Sequence, residues 1–169
     1  ANGYDSLQAN TTGASNVAVG REAMYSNTEG DFNTSIGHTA LGFNTTADNN
    51  TAVGYHALRA NTTAANNTAI GRSALRVNTT GANNTATGYQ SLYDNTTGSE
   101  NTAFGKGTLE NNTTAGDNTA LGSFSMNTNT TGANNVAVGR LALRYNTTAS
   151  NNTAIGYAAL TANTTGANN

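Results

Sequence analysis

A period of 17 residues runs through the whole chain without one insertion or deletion, and it restricts the fold to a stack of equivalent units. Gly recurs at positions 3, 20, 37, 54, 71, 88, 105, 122, 139 and 156. Asn fills one column at Asn10, Asn27, Asn44, Asn61, Asn78, Asn95, Asn112, Asn129, Asn146 and Asn163. It fills a second at Asn16, Asn33, Asn50, Asn67, Asn84, Asn101, Asn118, Asn135, Asn152 and Asn169. Thr follows the first Asn in every copy, from Thr11 to Thr164. Counted from that Asn, the unit reads N-T-T-G/A-x-N/D-N-T/V-A-V/I/L-G-x-x-A/S-L/M-x-x.

Such a unit is a poor helix, because Gly recurs in every copy and Asn and Thr dominate the remainder. Strand propensity concentrates at T-A-V/I, and Asn and Gly mark turns on either side. Parallel stacking puts each residue over its own copy, so stacked Asn can form amide ladders along the axis. The expected fold is therefore all-β, a parallel β-solenoid (β-roll) of ten 17-residue coils forming one repeat domain over residues 1–169. At a strand spacing of roughly 4.8 Å, ten coils make a rod about 48 Å long. A meander with one hairpin per unit is the alternative, but no unit contains a clear two-residue hairpin turn.

Within each coil, the large apolar columns of Val19 and Met24 are expected to face the interior. On that reading Asn2, in the Val19 column, places an amide in the core of the first coil. The Gly20 column is expected to need a positive φ or a close backbone approach. The Gly13 column alternates with Ala and does not. The Ala18 column, interrupted only by Ser35, reads as a close-packing face for other chains.

The net charge of −2 and the scattered cations offer no field for nucleic acid. No apolar stretch is long enough to span a membrane, and no Cys is present for disulfides or thiolate metal sites. The sequence begins and ends inside a repeat, whereas solenoids need atypical capping units. It is therefore read as a segment of a longer fibre protein that self-associates, as a lateral homotrimer through the Ala18 column or as a head-to-tail filament.

The string Asn16-Val17-Ala18-Val19-Gly20, repeated at Asn135-Val136-Ala137-Val138-Gly139, resembles the N-S-V-A-I-G repeat of trimeric autotransporter adhesin heads. The longer phrase N-T-T-G-A-N-N-T-A-I-G-x-x-A-L, nearly complete at 78–92 and 129–143, is similar to repeats of bacterial and phage tail-fibre-type proteins. The adhesin-head repeat is shorter and carries Val where Thr51 or Thr68 stands here. The resemblance implies a β-roll on the cell or virion surface, commonly trimeric, acting as shaft or adhesive head. The expected function is thus a structural fibre or filament segment, extracellular or surface-located, that contributes to adhesion.

The column after the first Gly holds Tyr4, Arg21, His38, Tyr55, Arg72, Tyr89, Lys106, Ser123, Arg140 and Tyr157. Such a row of rings and cations suits ladder packing through cation–π contacts, or a stripe that binds a surface glycan or host receptor. The N-x-T triplets are glycosylation sequons in some secreted proteins, and turn and ladder residues otherwise. An ice-binding solenoid is a further reading, but Thr11 and Thr12 are adjacent and point to opposite faces of a strand.

No enzyme is expected. His38 and His56 are the only histidines and occupy variable columns. The dispersed acids form no triad or carboxylate pair. Gly105-Lys106-Gly107 lacks the setting of a phosphate loop. Asp48-Asn49-Asn50 and Asp117-Asn118 read as ordinary turns and not as a metal repeat. No cofactor is implied.

Overall fold

The computed structural model describes all residues, Ala1–Asn169. Each period contributes one three-residue strand: β1 (Val17–Val19), β2 (Thr34–Ile36), β3 (Thr51–Val53), β4 (Thr68–Ile70), β5 (Thr85–Thr87), β6 (Thr102–Phe104), β7 (Thr119–Leu121), β8 (Val136–Val138) and β9 (Thr153–Ile155). They form one nine-stranded sheet in sequence order. Every neighbouring pair is parallel and offset by one period, as in Ala52↔Ala69 and Ala69↔Ala86. This is a parallel β-solenoid without a helix.

The ten expected coils become nine strands bounding eight complete turns. The first period enters its strand at Ala1, so it supplies only the isolated bridge Asn2↔Val19.

Strands are short because a corner glycine ends each one. Gly71, for example, has φ +128, a conformation that side chains resist, and a Cβ there would lie 2.7 Å from the carbonyl oxygen of Gly88. The chain then turns through a segment in which two non-glycine residues take positive φ. In one coil these are Ser73 (φ 59) and Leu75 (φ 49), with Asn83 (φ 59) later in the same period. A bulky leucine in this region is unusual. Leu75 and its equivalents from Met24 to Leu143 are wholly enclosed, and the exposed Leu160 of the last coil keeps the same conformation at φ 48.

The core is narrow. Twenty-one residues form it, drawn from the Ala18, Ala23 and Met24 columns. The Met24 column faces inward as expected, from Met24 through Leu143.

The Val19 column does not face inward: Val19 is 40% exposed, Phe104 58% and Ile155 71%. Ala18 and its equivalents point inside instead, at 0–2% exposure. Strand side chains alternate between faces, so exchanging the inward residue by one position reverses the whole face. A 17-residue coil closes too tightly to hold Leu, two Asn and a second branched side chain, and alanine is what fits. Asn2 accordingly lies exposed and places no amide in the core. The Ala18 column is enclosed within the coil and is no surface for another chain.

Candidate functional site

Three surfaces follow from this backbone: the polar spine, the outward face of the sheet, and the turn side.

The polar spine consists of the two Asn columns, which are buried from Asn27 to Asn146 and from Asn33 to Asn152. In the first, each Nδ2 donates to the Oδ1 one coil earlier: Asn44 to Asn27 at 2.8 Å, Asn61 to Asn44 at 3.0 Å, Asn95 to Asn78 at 2.8 Å. Each also donates to a carbonyl three residues on, as Asn61 does to Ala64 at 2.9 Å. In the second, each Oδ1 accepts the backbone N–H one coil later, Asn50 from Asn67 and Asn67 from Asn84 at 2.9 Å. Ladders at Asn10, Asn16, Asn84 and Asn101 follow the same scheme. Buried amides of this kind hold together only while each has its partner.

These contacts decide several readings of the sequence. The first Asn of each inner N-T-T triplet is enclosed and occupied, so it is closed to glycan attachment, whereas Asn66 is exposed. The hydroxyl of Thr62 donates to the carbonyl of Thr79, and that of Thr79 to Thr96, which commits that Thr column to the ladder. Asp48 Oδ1 accepts the amide of Asp31 at 2.7 Å, a turn contact. No group of three or more His, Cys, Asp or Glu is placed to hold a metal ion.

The outward face of the sheet carries two columns two residues apart. One is Thr51, Thr68 and their equivalents; the other runs Val19, Ile36, Val53, Ile70, Thr87, Phe104, Leu121, Val138, Ile155. Neither column contains a charge. The sequence reading missed this face because it turned the aliphatic column inward.

The turn side carries the row of rings and cations. Tyr4, Arg21, Tyr55, Arg72, Tyr89, Lys106, Arg140 and Tyr157 are exposed, with His38 partly covered. Arg72 lies 5.7 Å from the ring centroids of both Tyr55 and Tyr89. Lys106 is 5.9 Å from Tyr89, Arg21 6.0 Å from Tyr4, and Arg140 5.8 Å from Tyr157. His38 stacks on Tyr55 at 5.5 Å, and Tyr55 on His56 at 3.8 Å.

Four positions further along each coil, a second column places Tyr25, Arg59, Arg76, Tyr93 and Arg144 parallel to the first, with Gln8, Gly42, Glu110, Asn127 and Thr161 in the remaining coils. Arg76 sits 5.5 Å from the Tyr93 ring and donates to its hydroxyl. Arg59 lies 4.5 Å from the Phe43 ring. The pair Arg59 and Arg76 followed by Tyr93, at the 17-residue period, was the available signal for this row.

Two grooves lie between the rows. One, of about 360 Å³, is lined by Asp5, Glu22, His38, His56, Phe43 and Arg59 among others. The next, of about 250 Å³, lies between Tyr55, Arg72 and Tyr89 on one side and Arg76 and Tyr93 on the other. His56 is their common wall. Its pKa is lowered, first by burial and then by Arg59, Arg76, His38 and Arg72, which registers a positive local field. Arg21 is the only cation with a carboxylate within salt-bridge distance.

Fold and surfaces define a tandem-repeat parallel β-solenoid with one uncharged flat face and one cationic, aromatic side. Comparison of the chain with protein families, curated proteins and solved structures finds no match. No helix is long and apolar enough to cross a membrane.

Proposed function

We propose that this chain is a structural segment of a fibre or filament on a cell or virion surface, and that copies associate laterally through the outward face of the sheet. The observation that carries the reading is the uncharged face of Thr51, Thr68, Ile36, Ile70, Phe104 and Leu121, continuous over nine strands. Nine strands at about 4.8 Å make this face roughly 40 Å long. Soluble monomers rarely expose contiguous apolar patches larger than a few hundred Å². A second copy, or two in a trimer, would remove that face from water. The adhesin-head and tail-fibre resemblance agrees in kind, since those repeats act as shafts and heads and are commonly trimeric.

Light scattering tests the reading through two variants that differ by one position. Ile70→Glu, on the outward face, should leave the circular dichroism spectrum intact and convert an oligomer to monomer. Ala69→Glu buries a carboxylate inside the coil and should unfold it. A wild-type chain that is already monomeric at micromolar concentration contradicts the reading.

The same face supports one second reading. Thr hydroxyls at strand spacing, with aliphatic groups two residues away, form an arrangement suited to ordered water, so ice binding returns on a different Thr column from Thr11 and Thr12. Phe104 and Leu121 interrupt the regularity it would need. Thermal hysteresis of the monomeric Ile70→Glu variant and of the wild type separates the two.

A further inference from the structure

We infer that the groove between Tyr55, Arg72 and Tyr89 on one side and Arg76 and Tyr93 on the other binds an acidic oligosaccharide, with a carboxylate or sulfate on the guanidinium groups and a pyranose ring on a tyrosine face. The inference rests on the surface location in the proposed function and not on lateral association, because the groove lies on the turn side and not on the sheet.

Arg72 and Arg76 have no carboxylate within salt-bridge distance. Their guanidinium groups are nonetheless held, Arg72 between two tyrosine rings and Arg76 against a third. Tyrosine rings hold the two guanidinium groups in place without neutralising them. Arg76 gives one N–H to the Tyr93 hydroxyl and interacts with the Asp94 carboxylate, whereas the N–H donors of Arg72 stay available in the planar fork that matches an oxyanion bidentately. The pKa of His56 on the common wall is lowered first by burial and then by Arg59, Arg76, His38 and Arg72, which agrees with the geometry of the cations around it.

Charge alone would suit any anion, and the rings narrow the choice. Tyr55 and Tyr89 already carry His56, Arg72 and Lys106 on their faces. Tyr93 meets only Arg76 and so offers the apolar face for the C–H side of a sugar ring, while Ser73 and Gln90 on the lining offer hydroxyl partners. A volume of about 250 Å³ suits one or two sugar residues rather than a folded domain. The neighbouring groove of about 360 Å³ carries the carboxylates of Asp5 and Glu22, so the anion-binding site ends at the shared wall of His56.

The test measures titration calorimetry of the full chain with polygalacturonate, dextran sulfate, neutral dextran and poly-glutamate. Saturable binding to polygalacturonate identifies a uronate carboxylate as the ligand group, and binding to dextran sulfate a sulfate ester; either supports the inference. Arg72→Gln with Arg76→Gln should then weaken binding by about tenfold or more, with the circular dichroism spectrum unchanged. Tyr93→Ala should weaken it by about threefold to tenfold. Arg140→Gln, outside the groove, should have little effect. The inference is overturned if neither acidic polysaccharide binds, if neutral dextran binds equally, or if poly-glutamate competes as well as the sugars. It is equally overturned if Arg140→Gln costs as much as the groove variants. A monomeric chain that still binds would retain this inference while defeating lateral association.

Discussion

The side-chain amide of Asn78 donates to Oδ1 of Asn61, one coil earlier, at 3.1 Å, and to the carbonyl of Gly81 in its own coil at 2.9 Å. Its own Oδ1 accepts from Asn95, one coil later. One side chain thus ties three coils together and pins the corner of its own, which is why the unit tolerates no other residue there.

Replacing Asn78 by Ala should destabilise the solenoid by about 2 kcal/mol or more, because Oδ1 of Asn61 is then buried without a donor. Thr80→Ala, at an exposed position two residues on, should change stability by less than about 0.5 kcal/mol. Urea denaturation of both variants checks the contrast.

The two glycine columns should respond differently to the same substitution. Gly71→Ala puts a Cβ at positive φ against the backbone of Gly88 and should cost about 3 kcal/mol or more. Gly81→Ala also brings a Cβ against the carbonyl oxygen of Gly98, so the corner must shift, but without a positive φ. Ala47, Ala64, Ala115 and Ala149 stand in the equivalent place in other coils, so the loss should be the smaller of the two. Thermal melts of the two variants give the comparison, and equal losses would contradict it.

That contrast marks what the sequence made legible. A column of ten glycines without one alanine announced a backbone requirement, and unbroken Asn columns announced ladders. Strand direction followed from residues standing over their own copies. The inward side of the strand was not legible, because Ala18 and Val19 are adjacent and hydrophobicity alone favours the larger one. Only closure of the coil shows that alanine fits beside Leu75 and two asparagines. The positive φ of Leu75 was hidden for a similar reason, since leucine carries no signal for that conformation. The groove needed two rows, and only the row next to the invariant glycine drew notice.

Acid should weaken the fold through His56. Burial and the neighbouring cations Arg59, Arg76, His38 and Arg72 hold its pKa below the ordinary value of 6.5. Between that lowered value and about pH 6.5 the unfolded chain binds more protons than the folded one. Stability therefore rises with pH across this window and is lost as pH falls through it. Asp94, raised by burial against the opposing pull of Arg76, gives the reverse slope above its ordinary value of 3.8. Urea midpoints between pH 5 and 8 should flatten in His56→Gln, and an unchanged slope would contradict the assignment.

Lateral association through the outward face is the central claim, and the absence of Cys from the chain allows one direct measurement. Thr68→Cys places a single thiol on the outward face, and Thr63→Cys places one on an exposed column elsewhere. Under mild oxidation at micromolar concentration, Thr68→Cys should form a disulfide-linked dimer rapidly while Thr63→Cys remains mostly monomeric. Equal cross-linking of the two variants, or none at Thr68→Cys, would contradict the account.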